Sequence, residues 1–346
     1  MHDIQRSGLL AAGNWILDEV KLIDKFPQEQ SLVDILDAYY SNGGSAYNIL
    51  TAMSRLGVPF PLAGIGLVGN DANGRRILRH CNTIGIDTKQ IQVVSDMPTS
   101  YTIVMSVKES GKRTFFHHRG ANSKLDSHHF DFSLSKARIF HLGYLLLLDQ
   151  MDAMQSNGRT KASEILERAK NEGFITSVDL VSEDSDRFSK IVPTSLPYVD
   201  YLFLNEYEAS RLAAVDLMHL DDQQLMEDRC KKACKTIFDM GVQEWIIIHF
   251  PDGAWAAHRH GKQLFQPSLA LPSDYVIGNN GAGDALAAAL LMGIHEQWSM
   301  EESLQLAVCV AAASLSDLTC SGGILDFQSC LALAEKYGYR NTKIRS

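Results

Sequence analysis

Short, wholly apolar runs alternate with amphipathic segments along most of the chain. "SGLLAAGNW" reads as an opening strand, and "GGSAYNILTAMSRLG" as a helix whose apolar face carries Ile49, Leu50, Met53 and Leu56. "PLAGIGLVG" reads as a second buried strand, followed by the helix "ANGRRILRHCNTIG". The rhythm returns past the midpoint, where "RIFHLGYLLLL", "GFITSVDL", "VDYLFLN" and "EWIIIHF" are strand-like. Helical patterns such as "GRTKASEILERAKNEG" and "LMEDRCKKACKTIFDMG" lie between them. Continuous apolar strands separated by helices predict βαβ units around a mostly parallel sheet covered on both faces.

Two stretches break this pattern. "ILDEVKLIDKF" near the start and "TSYTIVMSVKESGKRTFFHH" at 99–118 alternate polar and apolar positions, the second with an "ESGK" turn at its middle. They predict a small antiparallel sheet, contributed by about 15–40 and 98–118, that projects as a lid from one α/β domain spanning 1–346. No internal repeat or low-complexity segment is evident.

Composition narrows the function class. A chain of 346 residues with 45% hydrophobic and 21% charged residues suits a globular enzyme. A net charge of -9 and a pI near 5.7 argue against a broad nucleic-acid surface, which needs clustered Lys and Arg. The N-terminus shows no basic start followed by a long apolar run, and no stretch of eighteen apolar residues occurs, so a cytoplasmic protein without membrane association is expected. Six cysteines without a CxxC pair read as reduced packing thiols. Cys230 and Cys234 share a helix face but lack further partners at metal-ligand spacing.

Four motifs carry candidate chemistry. "GNNGAGDALAAALLMGI" places Asp284 between a glycine-rich turn and a helix that is apolar on every face and therefore buried. The first-turn N–H groups of such a helix carry partial positive charge, and Gly281 and Gly283 permit close approach of a ligand. This is an anion site, although a helix cap alone also explains an Asp there. "GNWILD" puts Asn14 and Asp18 where the first strand meets the lid, suited to hydrogen-bonding a polyol. "NGGSAYN" sets Gly43, Gly44 and Asn48 at a helix start. "NEYEASRL" sets Asn205 and Glu208 three apart at a strand-to-helix junction, suited to orienting water around magnesium or to forming a capping box. No GxxxxGK followed by Ser or Thr occurs, and "GIGLVG", Gly64 to Gly69, matches GxGxxG without the acidic strand end that a dinucleotide site needs.

In order, "GNWILD", "GGSAYN", "GIGLVGNDANG", "RTFFHHRGAN", "NEYE" and "GAGDA" resemble the PfkB, or ribokinase-like, family of carbohydrate and nucleoside kinases over nearly the whole chain. The resemblance implies a three-layer α/β/α core with a β lid, and transfer of the ATP γ-phosphoryl group to a sugar hydroxyl. It makes Asp284 the catalytic base and Gly281, Ala282 and Gly283 the anion hole. Asn14, Asp18, Gly43, Gly44 and Asn48 match positions that hold the acceptor. Asn205, Glu208, Gly253 and Asn279 match the nucleotide side, with Glu208 tied to magnesium through water. ATP and Mg2+ are the implied cofactors. Most members carry Asp-Thr where this chain has Gly278 and Asn279, which puts potassium activation in question, and Phe250 replaces a glycine of the nucleotide turn.

Two alternatives accompany this reading. A nucleoside kinase would need a slot for the base, which Trp15, Tyr101, Phe116 and Tyr144 are available to form. A sugar-binding protein without catalysis would explain the altered residues 250, 278 and 279. A phosphorylated acceptor would need a further cation, with Arg113 and Arg119 at hand, and exposed lid edges suit a homodimer.

Overall fold

The computed structural model describes residues 6–218, 223–278 and 280–341. Among them, nine strands form one large sheet: β1 (Leu9–Gly13), β4 (Leu62–Gly69), β5 (Ile86–Val94), β8 (Ile139–Leu145), β9 (Ile175–Leu180), β10 (Tyr201–Asn205), β11 (Trp245–Phe250), β12 (Gly253–His258) and β13 (Gln263–Pro267). Their order is β13-β12-β11-β10-β9-β8-β1-β4-β5, with the run from β5 to β11 parallel and the last two strands antiparallel.

Period-two alternation explains why this sheet is buried on both faces. In β1, Leu9 and Ala11 point into one apolar cluster, whereas Leu10 and Ala12 point into the other. The first cluster is closed by α1 (Ser45–Leu56), α7 (Ala282–His295) and α8 (Met300–Ser314). The second is closed by α3 (Lys161–Asn171), α4 (Phe188–Ser195), α5 (Glu206–Ala213) and α6 (Gln223–Asp239). Two further helices, α2 (Ala72–Thr83) and α9 (Phe327–Tyr337), flank the first face. Every residue of α7 from Asp284 to His295 is buried, as its all-round apolar sequence requires. No helix among the described residues is long and apolar enough to cross a membrane.

A second sheet, in the order β3-β2-β6-β7, comprises β2 (Ile16–Ile23), β3 (Ile35–Gly43), β6 (Ser100–Val107) and β7 (Arg113–His118). Its two outer pairs are antiparallel, and the central pair, β2 with β6, is parallel. That central pairing follows from connectivity: β2 and β6 both leave the core sheet in the same direction. Residues 35–43 form a strand that leads directly into the two glycines before α1, a strand whose mixed pattern "ILDAYYSNG" did not stand out.

Two residues, Asn14 and Trp15, join β1 to β2, and Trp15 fastens the second sheet to the core. Its ring is fully buried, its Nε1 donates to the Ile65 carbonyl at 2.9 Å, and it stacks on Tyr47 with centroids 5.4 Å apart. A Cβ on Gly64 or Gly66 would fall within 2.4 or 2.1 Å of this ring. A Cβ on Gly69 would meet the Thr99 nitrogen at 2.4 Å. The GxGxxG string is thus explained by packing, with its first two glycines clearing space for an indole.

Candidate active site

Connections leave β1 toward β4 on one side and return to β8 on the other, so strand order reverses between β1 and β8. In an open α/β sheet, the crevice beyond the strand C-termini at such a reversal is where ligands bind. A cavity of about 660 Å³ lies there, lined by Tyr144 of β8, Asp179 of β9, Asn205 of β10 and His249 of β11. The second sheet roofs one end with Asp18, Thr102 and His117, and the N-terminus of α7 forms the floor.

Asp284 occupies the third position of α7, and its carboxylate does not cap the helix. The N-cap is Gly281, left-handed at φ 76° and without a side-chain cap bond, because a Cβ there would meet Cys320 at 2.7 Å. Asn48 Nδ2 donates to Asp284 Oδ2 at 2.8 Å, and the Tyr144 hydroxyl lies 2.8 Å from both carboxylate oxygens. Burial pushes the Asp284 carboxyl up to about 7, reinforced by the negative charge of Asp179 and opposed by the bonds from Asn48 and Tyr144. Two donors aim the carboxylate while its surroundings raise its proton affinity, which are the requirements for accepting a proton near neutrality. The N–H groups of Gly281, Ala282 and Gly283 lie beside it on the same cavity wall.

At the roofed end, burial likewise raises Asp18 to about 7. Gly43 does not line the cavity; a Cβ there would lie 2.4 Å from the Asp18 carboxylate, so this glycine makes room for Asp18. Gly44 has φ 84°, and a Cβ would meet the Asn14 carbonyl at 2.6 Å. Asn14 itself is fully buried behind the wall. Its Nδ2 donates to the Leu147 carbonyl at 3.2 Å and its Oδ1 accepts from Tyr144 N–H at 2.7 Å, so it fixes the segment bearing Tyr144. Asn48 is oriented in turn by Asn42, whose Nδ2 donates to Asn48 Oδ1 at 2.7 Å. Asn280 Nδ2 reaches Cys320 Sγ at 3.0 Å and Asp18 Oδ2 at 3.5 Å. Asn279 lies outside the described residues.

The opposite end contains a complete capping box. Asn205 Oδ1 accepts from Glu208 N–H at 2.8 Å, and Glu208 Oε2 accepts from Asn205 N–H at 2.9 Å. Glu208 Oε1 accepts from Ser182 Oγ at 2.9 Å and Asn205 Nδ2 at 3.0 Å. Burial raises Glu208 to about 8 despite these bonds. Among the described residues, no group of three His, Cys, Asp or Glu is placed to hold a metal, Cys230 and Cys234 included. Gly253 does not line the cavity either: it begins β12, where a Cβ would meet the Gln266 carbonyl at 2.4 Å.

Several lining residues gave no motif. Asp179 accepts from Ser45 Oγ at 2.8 Å, and His141 Nε2 lies 2.8 Å from the same hydroxyl. Since the serine gives its one proton to Asp179, His141 must present Nε2–H to it, and Ser45 is a spacer and not a nucleophile. His249 sits opposite Gly283, whose Cβ would be 3.0 Å from its ring, and burial lowers its imidazole to about 4. Tyr144, Asp179 and His249 share one legible signal: each is a polar residue at the C-terminal end of an apolar parallel strand.

The four aromatics considered for a base slot are dispersed. Trp15 is buried in the core, Tyr101 stacks on His118 with centroids 5.1 Å apart, Phe116 is exposed, and Tyr144 is bonded to Asp284.

Comparison with known proteins identifies the family and the fold. Residues 13–326 match the model of the pfkB family carbohydrate kinases. A 5-dehydro-2-deoxygluconokinase of Geobacillus kaustophilus is 25% identical over 306 residues, covering 85% of this chain and 84% of the relative. The ribokinase of Arabidopsis thaliana is 24% identical over 317 residues, covering 90% and 76%. The same fold occurs in Arabidopsis thaliana ribokinase complexed with ribose and ATP, with a TM-score of 0.77, 22% identity and coverage of 95% and 98%. Ribokinase from Giardia lamblia superposes with a TM-score of 0.78 at 18% identity, covering 94% and 98%. The chain therefore belongs to the pfkB family of carbohydrate kinases.

Proposed function

We propose that this protein transfers the terminal phosphoryl group of ATP to a hydroxyl of a small sugar, with Asp284 as the base. The observation that carries the reading is a carboxylate aimed by Asn48 and Tyr144 at the cavity beside uncapped helix N–H groups. The acceptor hydroxyl lies between Asp284 and Asp18. As its oxygen bonds to the γ-phosphorus, its proton passes to Asp284 and the bond from phosphorus to the ADP oxygen breaks. The N–H groups of Gly281, Ala282 and Gly283 stabilise charge on the phosphoryl oxygens. The ribose and ATP named with the Arabidopsis ribokinase structure support this substrate pair.

The donor set at Asn205 and Glu208 fits magnesium held on the nucleotide through water, because both Glu208 oxygens are already engaged within the protein. Bound there, the ion would supply charge neutralisation to the phosphates. The second sheet acts as a lid that excludes water from the phosphoryl group. Its outer strands β3 and β7, with exposed Tyr40 and Phe116, are the surface through which a homodimer would form. A cytoplasmic location accords with this chemistry. The scattered aromatics favour a sugar over a nucleoside.

The test is ADP release from ATP and magnesium across a panel of sugars and nucleosides, with and without potassium. At least one sugar is expected to support turnover, and Asp284→Asn to lower it by about 10³-fold or more without lowering Tm. Parallel loss of turnover and Tm in that variant would return Asp284 to a structural role.

A further inference from the structure

Three donors on the face of the second sheet that carries Asp18, just beyond the residues lining the cavity, are without a partner. The Nε and Nη1 atoms of Arg113 and the hydroxyl of Tyr39 are all shielded from solvent, and none has a hydrogen-bond partner among the described residues. Arg113 belongs to β7, opposite Ser106 of β6, and Tyr39 belongs to β3, opposite Val20 of β2. On that same face, Asp18 and Thr102 occupy the row nearest the cavity. The arginine extends toward the core: its Nη2 lies 2.6 Å from where a Cβ on Gly278 would stand, and the Asp317 carbonyl lies 2.5 Å from that same point. Any side chain at 278 would collide with it, so Gly278 and Arg113 fit as a pair.

Shielding guanidinium nitrogens from water without a hydrogen-bond partner is costly, and buried polar groups are otherwise paired almost everywhere. Burial lowers the proton affinity of Arg113, opposed by the nearby Cys320, Tyr39 and Asp18. Tyr39 feels Arg113 in return. Arg119, the other arginine of this region, is already paired with Asp149 at 2.6 Å. The guanidinium nitrogens left without a hydrogen-bond partner are therefore those of Arg113, on the side of Asp18 away from the core sheet.

We infer that the acceptor carries an anionic group, a carboxylate or a phosphate, remote from its reacting hydroxyl, and that Arg113 and Tyr39 hold it when the lid closes. This rests on the carbohydrate-kinase reading and specifies the substrate class. Asp18 and Asp284 would then face the hydroxylated part of the acceptor, and the anion would sit beyond Asp18 against the loop at Gly278.

The experiment compares neutral sugars with their aldonate and sugar-phosphate counterparts, in the full chain and in Arg113→Gln and Tyr39→Phe. In the unmodified protein, one acidic series is expected to exceed its neutral counterpart in kcat/KM by about 100-fold, the scale of one buried charge-assisted contact. That ratio should collapse in Arg113→Gln and fall by a smaller factor in Tyr39→Phe, and whichever series responds identifies the anion. Thermal shifts supply a readout independent of turnover: the acidic ligand should raise Tm of the unmodified protein more than its neutral counterpart, and the difference should vanish in Arg113→Gln. An unchanged acidic-to-neutral ratio in Arg113→Gln, or a neutral sugar as best acceptor, would overturn the inference while leaving the kinase reading intact. Absence of turnover with every acceptor would overturn both.

Discussion

The two ends of the cavity are assembled in opposite ways. At the nucleotide end, Asn205 and Glu208 close their box within four consecutive residues, and the cap would form wherever that helix began. At the acceptor end, Asp284 is aimed by residues 236 and 140 positions away, and Asp18 has Gly43, Thr102 and Asn280 around it. Local geometry survives changes elsewhere; long-range geometry depends on every element that contributes to it. Substitutions at the acceptor end should therefore affect only acceptor chemistry, and strongly, whereas those at the nucleotide end should act gently.

Of the substitutions that separate the two ends, Gly43→Ala should act most strongly, because it puts a carbon 2.4 Å from the Asp18 carboxylate. Acceptor KM should rise by roughly 100-fold, the penalty for misplacing a positioning group by about an ångström, with ATP KM changed less than about threefold. Steady-state kinetics with each substrate varied in turn measures this, and equal rises in both KM values would show that the two ends are not independent.

Tyr144→Phe comes next. It removes a hydrogen bond that favours the ionised Asp284, so the carboxyl rises above its value of about 7. Because the base acts ionised, activity appears as pH increases through that value. The acid limb of the kcat/KM profile should thus move to higher pH by about one unit, with roughly fivefold less activity at pH 7. A profile that keeps its midpoint would assign the tyrosine to packing.

Glu208→Gln should be the mildest. ATP KM is expected to rise by roughly tenfold and acceptor KM to stay within about twofold. Its stability effect has a definite sign. The Glu208 carboxyl sits at about 8 against an ordinary 4.5, so the fold disfavours the charge and loses stability as pH rises between these values. Glutamine has no such loss. Melting temperatures of variant and parent should approach each other near pH 4, with the variant gaining relative to the parent as the pH is raised to 9.

The same contrast explains what the sequence revealed. The strands of the large sheet were legible because parallel strands buried on both faces are continuous apolar runs, as in "EWIIIHF". Asp284 and the Asn205–Glu208 pair were legible because each lies within a short window of unusual composition. Asn14, Gly43 and Gly253 were assigned to ligand contact, yet they support the wall, since a string cannot distinguish a glycine that admits a ligand from one that admits a neighbouring side chain. Asp179 and Asn280 carry no motif, and Tyr144 reads only as an aromatic for a base slot, because the partners that define their roles come from other elements. The second sheet was half legible: its two antiparallel pairs follow from alternation and the "ESGK" turn, while the parallel joint between β2 and β6 depends on connectivity.

Trp15 and the glycines of "GIGLVG" carry a consequence for how this chain can vary. With the indole seated over positions 64 and 66, neither can acquire a side chain unless residue 15 shrinks in the same step. Reduction at 15 alone leaves a void at the junction of the two sheets. The three sites are therefore free to drift only together, and a string that resembles a nucleotide fingerprint would persist here through selection on the joint between two sheets.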